Sequence, residues 1–202
     1  SRVAEVEAVD LRTGELCRFA QHDCGFAYRD SVFKRAGQGR WLITRVVFRL
    51  PKQWRPMLEY PDVARQLGQF KVAPKPQQIA EAICTVRRSK LPDPQVIGNA
   101  GSFFKNPLVA EAQLSTLLQR HPDMPHYPQP HGQAKLAAGW LIERCGWKGR
   151  QLGPVGCYAK QALVLVNHGG ATAADVQRTA AAIIADVQRT FGITLEAEPS
   201  FI

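Results

Sequence analysis

Hydrophobic residues alternate with polar ones at the start of this chain. Val3, Val6 and Ala8 stand among charged neighbours, and a polar segment containing Gly14 follows them. This pattern predicts a strand, a turn over residues 11–15 and a returning strand over 16–19. A longer apolar segment over 41–50, closed by Pro51, predicts a third strand.

Helical spacing then replaces the alternation. Ile79, Ile83 and Val86 recur at intervals of three or four, which predicts a helix over about 77–89. Residues 91–94 read Leu-Pro-Asp-Pro, and two prolines one residue apart stop a helix and stiffen the connection that follows. We therefore expect a domain boundary near residue 91.

Further helices are predicted over 112–120, 135–145 and 173–191. Thr172 is placed to cap the last of these helices, and Gly192 is placed to end it. The apolar residues 162–166 predict a buried strand, and the alternation over 193–198 predicts another. The predicted fold class is α+β, in two parts.

Composition limits the class of protein without deciding its function. Hydrophobic residues make up 45% of the chain and charged residues 21%, as in a globular protein, and the net charge is +9. This charge suits either nucleic acid or a small phosphate-bearing ligand, although the basic residues are dispersed. The sequence lacks a long apolar segment and a signal-peptide pattern, and its five cysteines are an odd number, so we expect a cytoplasmic protein without a disulfide framework.

Histidines offer a weak metal pattern. His121, His126 and His131 recur every five residues, a spacing that matches neither a helix face nor a strand face, and the cysteines form no C-x-x-C pair. We interpret the three histidines as loop residues and predict no metal site.

Residues 98–107 read Gly-Asn-Ala-Gly-Ser-Phe-Phe-Lys-Asn-Pro. Two glycines within four residues allow a tight turn or the close approach of a ligand. The segment is neither a G-x-S-x-G elbow nor a P-loop. Composition alone favours a structural turn and leaves a binding or catalytic role for Ser102 open.

The same ten residues resemble the signature of the UDP-N-acetylenolpyruvoylglucosamine reductases. Other segments agree in order along the chain: Tyr-Arg-Asp-Ser at 28–31, Lys-Leu-Pro-Asp-Pro at 90–94, Tyr-Pro-Gln at 127–129, Lys-Leu-Ala-Ala-Gly-Trp-Leu-Ile at 135–142, Gln-Ala-Leu-Val-Leu-Val-Asn at 161–167 and Leu-Glu-Ala-Glu at 195–198. The resemblance implies reduction of UDP-N-acetylglucosamine enolpyruvate to UDP-N-acetylmuramate for peptidoglycan synthesis. The resemblance also implies FAD as the cofactor and NADPH as the reductant. It further implies a monomer that binds neither nucleic acid nor a membrane.

The resemblance also implies roles for particular residues. Ser102 matches the serine that donates a proton, Arg29 the arginine that faces the substrate carboxylate, and Glu198 the catalytic glutamate. Glu196, two residues away, is separated from Glu198 by motif alignment alone. Positions that match the family's contacts to the UDP portion are Tyr60, Lys90, Asn106, Tyr127, Lys135 and Gln161. The presence of Tyr60 is similar to the class of the family in which a loop with a tyrosine covers the substrate.

Residues 1–90 resemble the C-terminal part of the family's flavin-binding domain, and residues 91–202 resemble its smaller substrate-binding domain. The glycine-rich segments that hold the flavin in this family do not occur in the sequence. These 202 residues by themselves are therefore expected to be inactive. Two other functions stay open: a nucleic-acid-binding protein, motivated by charge, and a UDP-sugar-binding module without redox chemistry.

Overall fold

The computed structural model describes residues 2–53, 55–56, 58, 60–68, 74–199 and 201. Contacts divide the chain into two compact units, here called the N-terminal unit (1–57) and the C-terminal unit (58–202). The described residues form helices and antiparallel sheets, which confirms the predicted α+β class. Among the described residues, none of the helices combines the length and apolar character needed to cross a bilayer.

The N-terminal unit contains one antiparallel sheet. Its strands are β1 (Val3–Asp10), β2 (Leu16–Ala20) and β3 (Trp41–Phe48), in the order β2-β1-β3. The predicted hairpin is confirmed, and β3 ends two residues before the predicted end. Asp10 is buried at the end of β1, where Arg40 donates to its carboxylate from Nε at 2.9 Å and from Nη2 at 2.6 Å. This pairing offsets the cost of burying the charge and lowers the pKa of Asp10.

Two helices open the C-terminal unit. They are α1 (Pro61–Leu67) and α2 (Pro76–Lys90), and each begins with a proline, whose fixed φ suits the first helical position. Val63 and Leu67 of α1 pack on Ile79 and Ala82 of α2. The sequence predicted α2 but not α1, because seven residues give too little periodicity to be recognised.

A four-stranded antiparallel sheet supports the rest of the C-terminal unit. Its strands are β4 (Gly98–Ser102), β8 (Gln151–Leu152), β9 (Val155–Tyr158) and β10 (Gln161–Asn167), in the order β4-β10-β9-β8. The predicted buried strand is β10, which pairs on both sides and carries a continuous core segment. Its buried residues are Ala162, Val164, Leu165 and Val166.

A second sheet contains β5 (Leu108–Ala110), β6 (His126–Gln129) and β7 (Gln133–Leu136), in the order β5-β7-β6. Helices α3 (Glu111–Arg120) and α4 (Ala138–Arg144) follow β5 and β7. The helix predicted over 135–145 is thus wrong at its start, because Lys135 pairs with β5 and β6, and Leu136 pairs with His126 of β6. The loop assignment is also wrong for His126, which begins β6. The described residues contain no cluster of three or more His, Cys, Asp or Glu suited to a metal.

Helix α5 (Ala173–Phe191) confirms the predicted caps. The hydroxyl of Thr172 accepts from the backbone N–H of Asp175, the Asp175 carboxylate accepts from the backbone N–H of Thr172, and Gly192 ends the helix with φ of +67°. Residues 193–198 alternate between buried and exposed as far as Glu196, but their only assigned strand pairing in the described structure is one bridge between Ala197 and Phe104. The prediction of a terminal strand is therefore wrong, because these residues form one isolated bridge and not a strand of a sheet.

A hydrogen bond joins helix α5 to the loop after α4. Because of this bond, we expect the stability of the fold to depend on pH. Trp147 is 1% exposed and donates from Nε1 to Oδ2 of Asp186 at 2.9 Å. This bond, followed by the contact with Arg189, holds the pKa of Asp186 below its ordinary value of 3.8. The stabilisation is present above that ordinary value and is lost as the pH falls through the lower pKa of the folded state.

Asp186→Asn should therefore lower the free energy of unfolding by about 1 kcal/mol at pH 7, where an ionised acceptor becomes a neutral one. Urea denaturation at pH 7 and pH 3 checks this, and the difference between variant and unaltered protein should shrink at pH 3. A difference that is equal at both pH values would contradict the role assigned to the ionised carboxylate.

Candidate functional site

Ser102 lies at the end of β4, immediately after a β-bulge. Asn99 and Ser102 pair with Val166 and Val164 of β10, so β4 contains one residue more than its partner. Gly101 occupies the bulge with φ of +70°, and its N–H donates to Oδ1 of Asn99 at 3.0 Å. The turn expected from composition is thus a bulged strand.

Two aromatic residues fix the segment after the bulge. Phe103 and Phe104 are each 2% exposed, and their ring centroids lie 5.1 Å apart. The N–H of Phe103 also donates to the carbonyl of Leu163 in β10 at 2.7 Å. Ser102, in contrast, is exposed. The bulge therefore leaves a hydroxyl on the surface beside a firmly packed core.

The C-terminal segment lies along the same residues. The backbone N–H of Glu198 donates to the carbonyl of Phe103 at 2.8 Å, which places Glu198 next to the Ser102 segment. Glu196 instead forms an ion pair with Lys105 at 2.7 Å, and 70% of its side chain is exposed. The two glutamates, which motif alignment alone distinguished, thus differ in their surroundings.

Three of the residues predicted to contact UDP line one cleft of about 450 Å³. Tyr60 precedes α1, Lys90 ends α2 and Gln161 begins β10. The cleft contains two further charged residues, Asp62 and Arg87, that were not predicted from the sequence. Arg87 was detectable, since it lies three residues before Lys90 and shares its helix face. The remaining lining residues are Val63, Ile83, Val86 and Leu91.

The other three predicted UDP contacts gather around the second sheet. Tyr127 and Lys135 are a cross-strand pair of β6 and β7, with the ammonium 5.7 Å from the ring centroid. Asn106 accepts from the N–H of Ala138 through Oδ1 at 3.0 Å, and so satisfies a donor at the start of α4. That bond assigns the amide orientation and directs the two N–H donors of Asn106 away from the helix.

Arg29 belongs to the N-terminal unit, where it occupies a four-residue turn. Ala27 and Asp30 exchange backbone hydrogen bonds of 3.0 and 3.3 Å across the turn. Arg29 has φ of +54°, and its guanidinium lies 5.9 Å from the ring centroid of Tyr28. A non-glycine residue in this region is uncommon and is often found at functional sites.

Residues 93–202 match the family model described as UDP-N-acetylenolpyruvoylglucosamine reductase, C-terminal domain. The chain belongs to this family. It is 58% identical over 202 residues to the UDP-N-acetylenolpyruvoylglucosamine reductase of Azoarcus sp. (strain BH72). That match covers 100% of this chain and 58% of the relative. The enzyme of the same name from Burkholderia cenocepacia (strain HI2424) is 57% identical over 195 residues, which are 95% of this chain and 56% of the relative.

A solved structure also shares the fold. The crystal structure of the family's reductase from Thermus caldophilus superposes with a TM-score of 0.56 at 23% identity, over 98% of this chain and 52% of that chain. The present chain therefore spans little more than half the length of the relatives it matches.

Because of the bulge before Ser102, we expect alanine substitutions at Gly101 and at Gly98 to differ in their effect on stability. Gly101→Ala should cost about 1 kcal/mol of unfolding free energy, because a side chain is strained at positive φ. Gly98→Ala is the control, since its φ is unexceptional and an added Cβ would lie 3.7 Å from Cβ of Asn167; we expect a change within about 0.5 kcal/mol. Urea denaturation measures both variants, and equal effects would contradict a specific requirement at Gly101.

Proposed function

We propose that this chain supplies the substrate-binding and proton-donating part of a reductase that converts UDP-N-acetylglucosamine enolpyruvate to UDP-N-acetylmuramate. The observation that carries the proposal is the exposed Ser102, fixed by the bulge at Gly101 and by its buried neighbours, with Glu198 on the adjacent segment. A hydroxyl held in this way suits transfer of one proton to a defined carbon.

The cleft with Tyr60, Lys90 and Gln161 is the proposed site for the UDP portion of the substrate. A pyrophosphate requires cationic and neutral donors, which the ammonium of Lys90 and the amide of Gln161 supply. Tyr60 is 78% exposed and offers a ring and a hydroxyl to a ligand. We assign Asn106, Tyr127 and Lys135 to the same substrate on the strength of the family motifs.

Proton transfer is proposed to occur at the carbon that bears the substrate carboxylate. When hydride adds to the neighbouring carbon of the double bond, negative charge develops next to the carboxylate. Ser102 donates its hydroxyl proton to that carbon, since even a weakly acidic hydroxyl can protonate a strongly basic centre at short range. Arg29 is proposed to neutralise the carboxylate, and Glu198 to support the protonation.

FAD is the proposed cofactor and NADPH its reductant; bound FAD, once reduced by NADPH, would supply the hydride. The flavin-holding segments typical of the family are not among these 202 residues. We propose that residues 1–90 belong to a flavin-binding domain and 91–202 to a substrate-binding domain. The reaction is proposed to take place in the cytoplasm, on a monomer, as a step of peptidoglycan synthesis that supports cell shape and division.

The two half-reactions separate the proposed role of Ser102 from a structural one. In the protein of natural length, Ser102→Ala should reduce the rate of substrate reduction by about 100-fold or more, as expected for loss of a general acid. Reduction of the flavin by NADPH should stay within about twofold, because Ser102 takes no part in it. Stopped-flow absorbance of the flavin follows both steps.

Ser115→Ala is the matched control, because Ser115 is an exposed serine on α3 whose hydroxyl donates to the carbonyl of Glu111. It should leave both half-reactions unchanged. Equal losses in the two half-reactions of Ser102→Ala would show that the serine is structural, and an unimpaired substrate reduction would remove it from the mechanism.

A further inference from the structure

Asp62 faces the proposed UDP cleft from the first turn of α1. Its Oδ2 atom accepts a hydrogen bond from the ammonium of Lys90, and its Oδ1 atom lies 3.5 Å from Nη1 of Arg65. Both Asp62 and Lys90 line the cleft with Tyr60. Within the described lining of the cleft, Asp62 is the only acidic residue, although the expected ligand is an anion.

We propose that Asp62 is a positioning residue, which holds the ammonium of Lys90 towards the pyrophosphate of the bound sugar nucleotide. The proposal rests on the function proposed above. It assigns a role to a residue that does not itself touch the ligand.

The donor count of lysine allows this arrangement. An ammonium has three N–H donors, and one donor to Asp62 leaves two for phosphate oxygens. A lysine on a flexible four-carbon chain samples many directions, and a fixed carboxylate restricts them before the ligand arrives. Asp62 thus reduces the ordering that binding would otherwise require.

The surroundings keep Asp62 ionised. The hydrogen bond from Lys90 is the largest influence that lowers its pKa, and the charge of Arg65 acts in the same direction. Its position in the first turn of α1 also favours a negative charge. The remaining charged residue of the cleft, Arg87, is cationic as well.

The same ion pair links the two helices that carry the cleft residues. Tyr60 directly precedes α1, Lys90 ends α2, and the helices contact each other through the small core of Val63 and Ile79. Because Asp62 lies two residues after Tyr60, its bond to Lys90 fixes the start of α1 against the end of α2.

A double-mutant cycle on the protein of natural length tests the proposal, with UDP as the probe and uridine as the probe without phosphate. Asp62→Asn should weaken UDP binding about tenfold, and Lys90→Met should weaken it at least as much. The double variant should bind UDP no more weakly than Lys90→Met. Uridine affinity should be unchanged in all three variants. Isothermal titration calorimetry measures UDP, and NMR titration measures uridine.

Asp62→Glu restores the charge and should recover most of the UDP affinity. Asp123→Asn is the matched control, because Asp123 forms a comparable exposed ion pair with Arg144 outside the cleft, and it should leave UDP binding unaltered. Three results would overturn the role of Asp62 and leave the proposed function intact: tighter UDP binding by Asp62→Asn, additive losses in the cycle, or no recovery in Asp62→Glu. An unaltered protein that does not bind UDP would overturn both the proposed function and this inference.

Discussion

Burial of β10 is the constraint on which the C-terminal unit depends. This strand pairs with β4 on one side and β9 on the other, and four of its residues are at most 4% exposed. Removing such apolar surface from water supplies the dominant favourable term in folding. A strand fixed in this way defines the positions of both its neighbours. It therefore locates Gln161 at its start and, through β4, Ser102 at its edge.

The bulge in β4 converts this rigid framework into a site. Without an extra residue, a regular ladder would continue the alternation of β4 along β10. Gly101 at φ of +70° interrupts it, and the side chain of Asn99 supports the interruption through the N–H of Gly101. Phe103 then enters the core while Ser102 stays exposed. The left-handed conformation that glycine adopts without strain thus presents a hydroxyl beside a tightly packed backbone segment.

Long periodic segments were predictable from sequence, and several of the short ones were not. Helix α5 and strand β10 agree with their patterns because each buries one continuous set of apolar residues. Helix α2 also forms where predicted, although Ile83 of its predicted apolar face is 41% exposed and lines the cleft. Lys135 was assigned to a helix although it pairs in a sheet, since two-sided pairing leaves no local signal. In the site, the motifs nominated Lys90 and Tyr60. Asp62 escaped notice because its position beside Lys90 arises only when α1 packs on α2.

A crystal structure of the full-length protein with UDP-N-acetylglucosamine enolpyruvate bound would show whether Ser102 and Lys90 have the proposed roles. We expect the hydroxyl of Ser102 within about 3.5 Å of the carbon that receives the proton. We also expect phosphate oxygens of the same molecule in hydrogen-bond contact with the ammonium of Lys90. A sugar nucleotide bound with its double bond away from Ser102, or with its phosphates outside the cleft, would contradict the account.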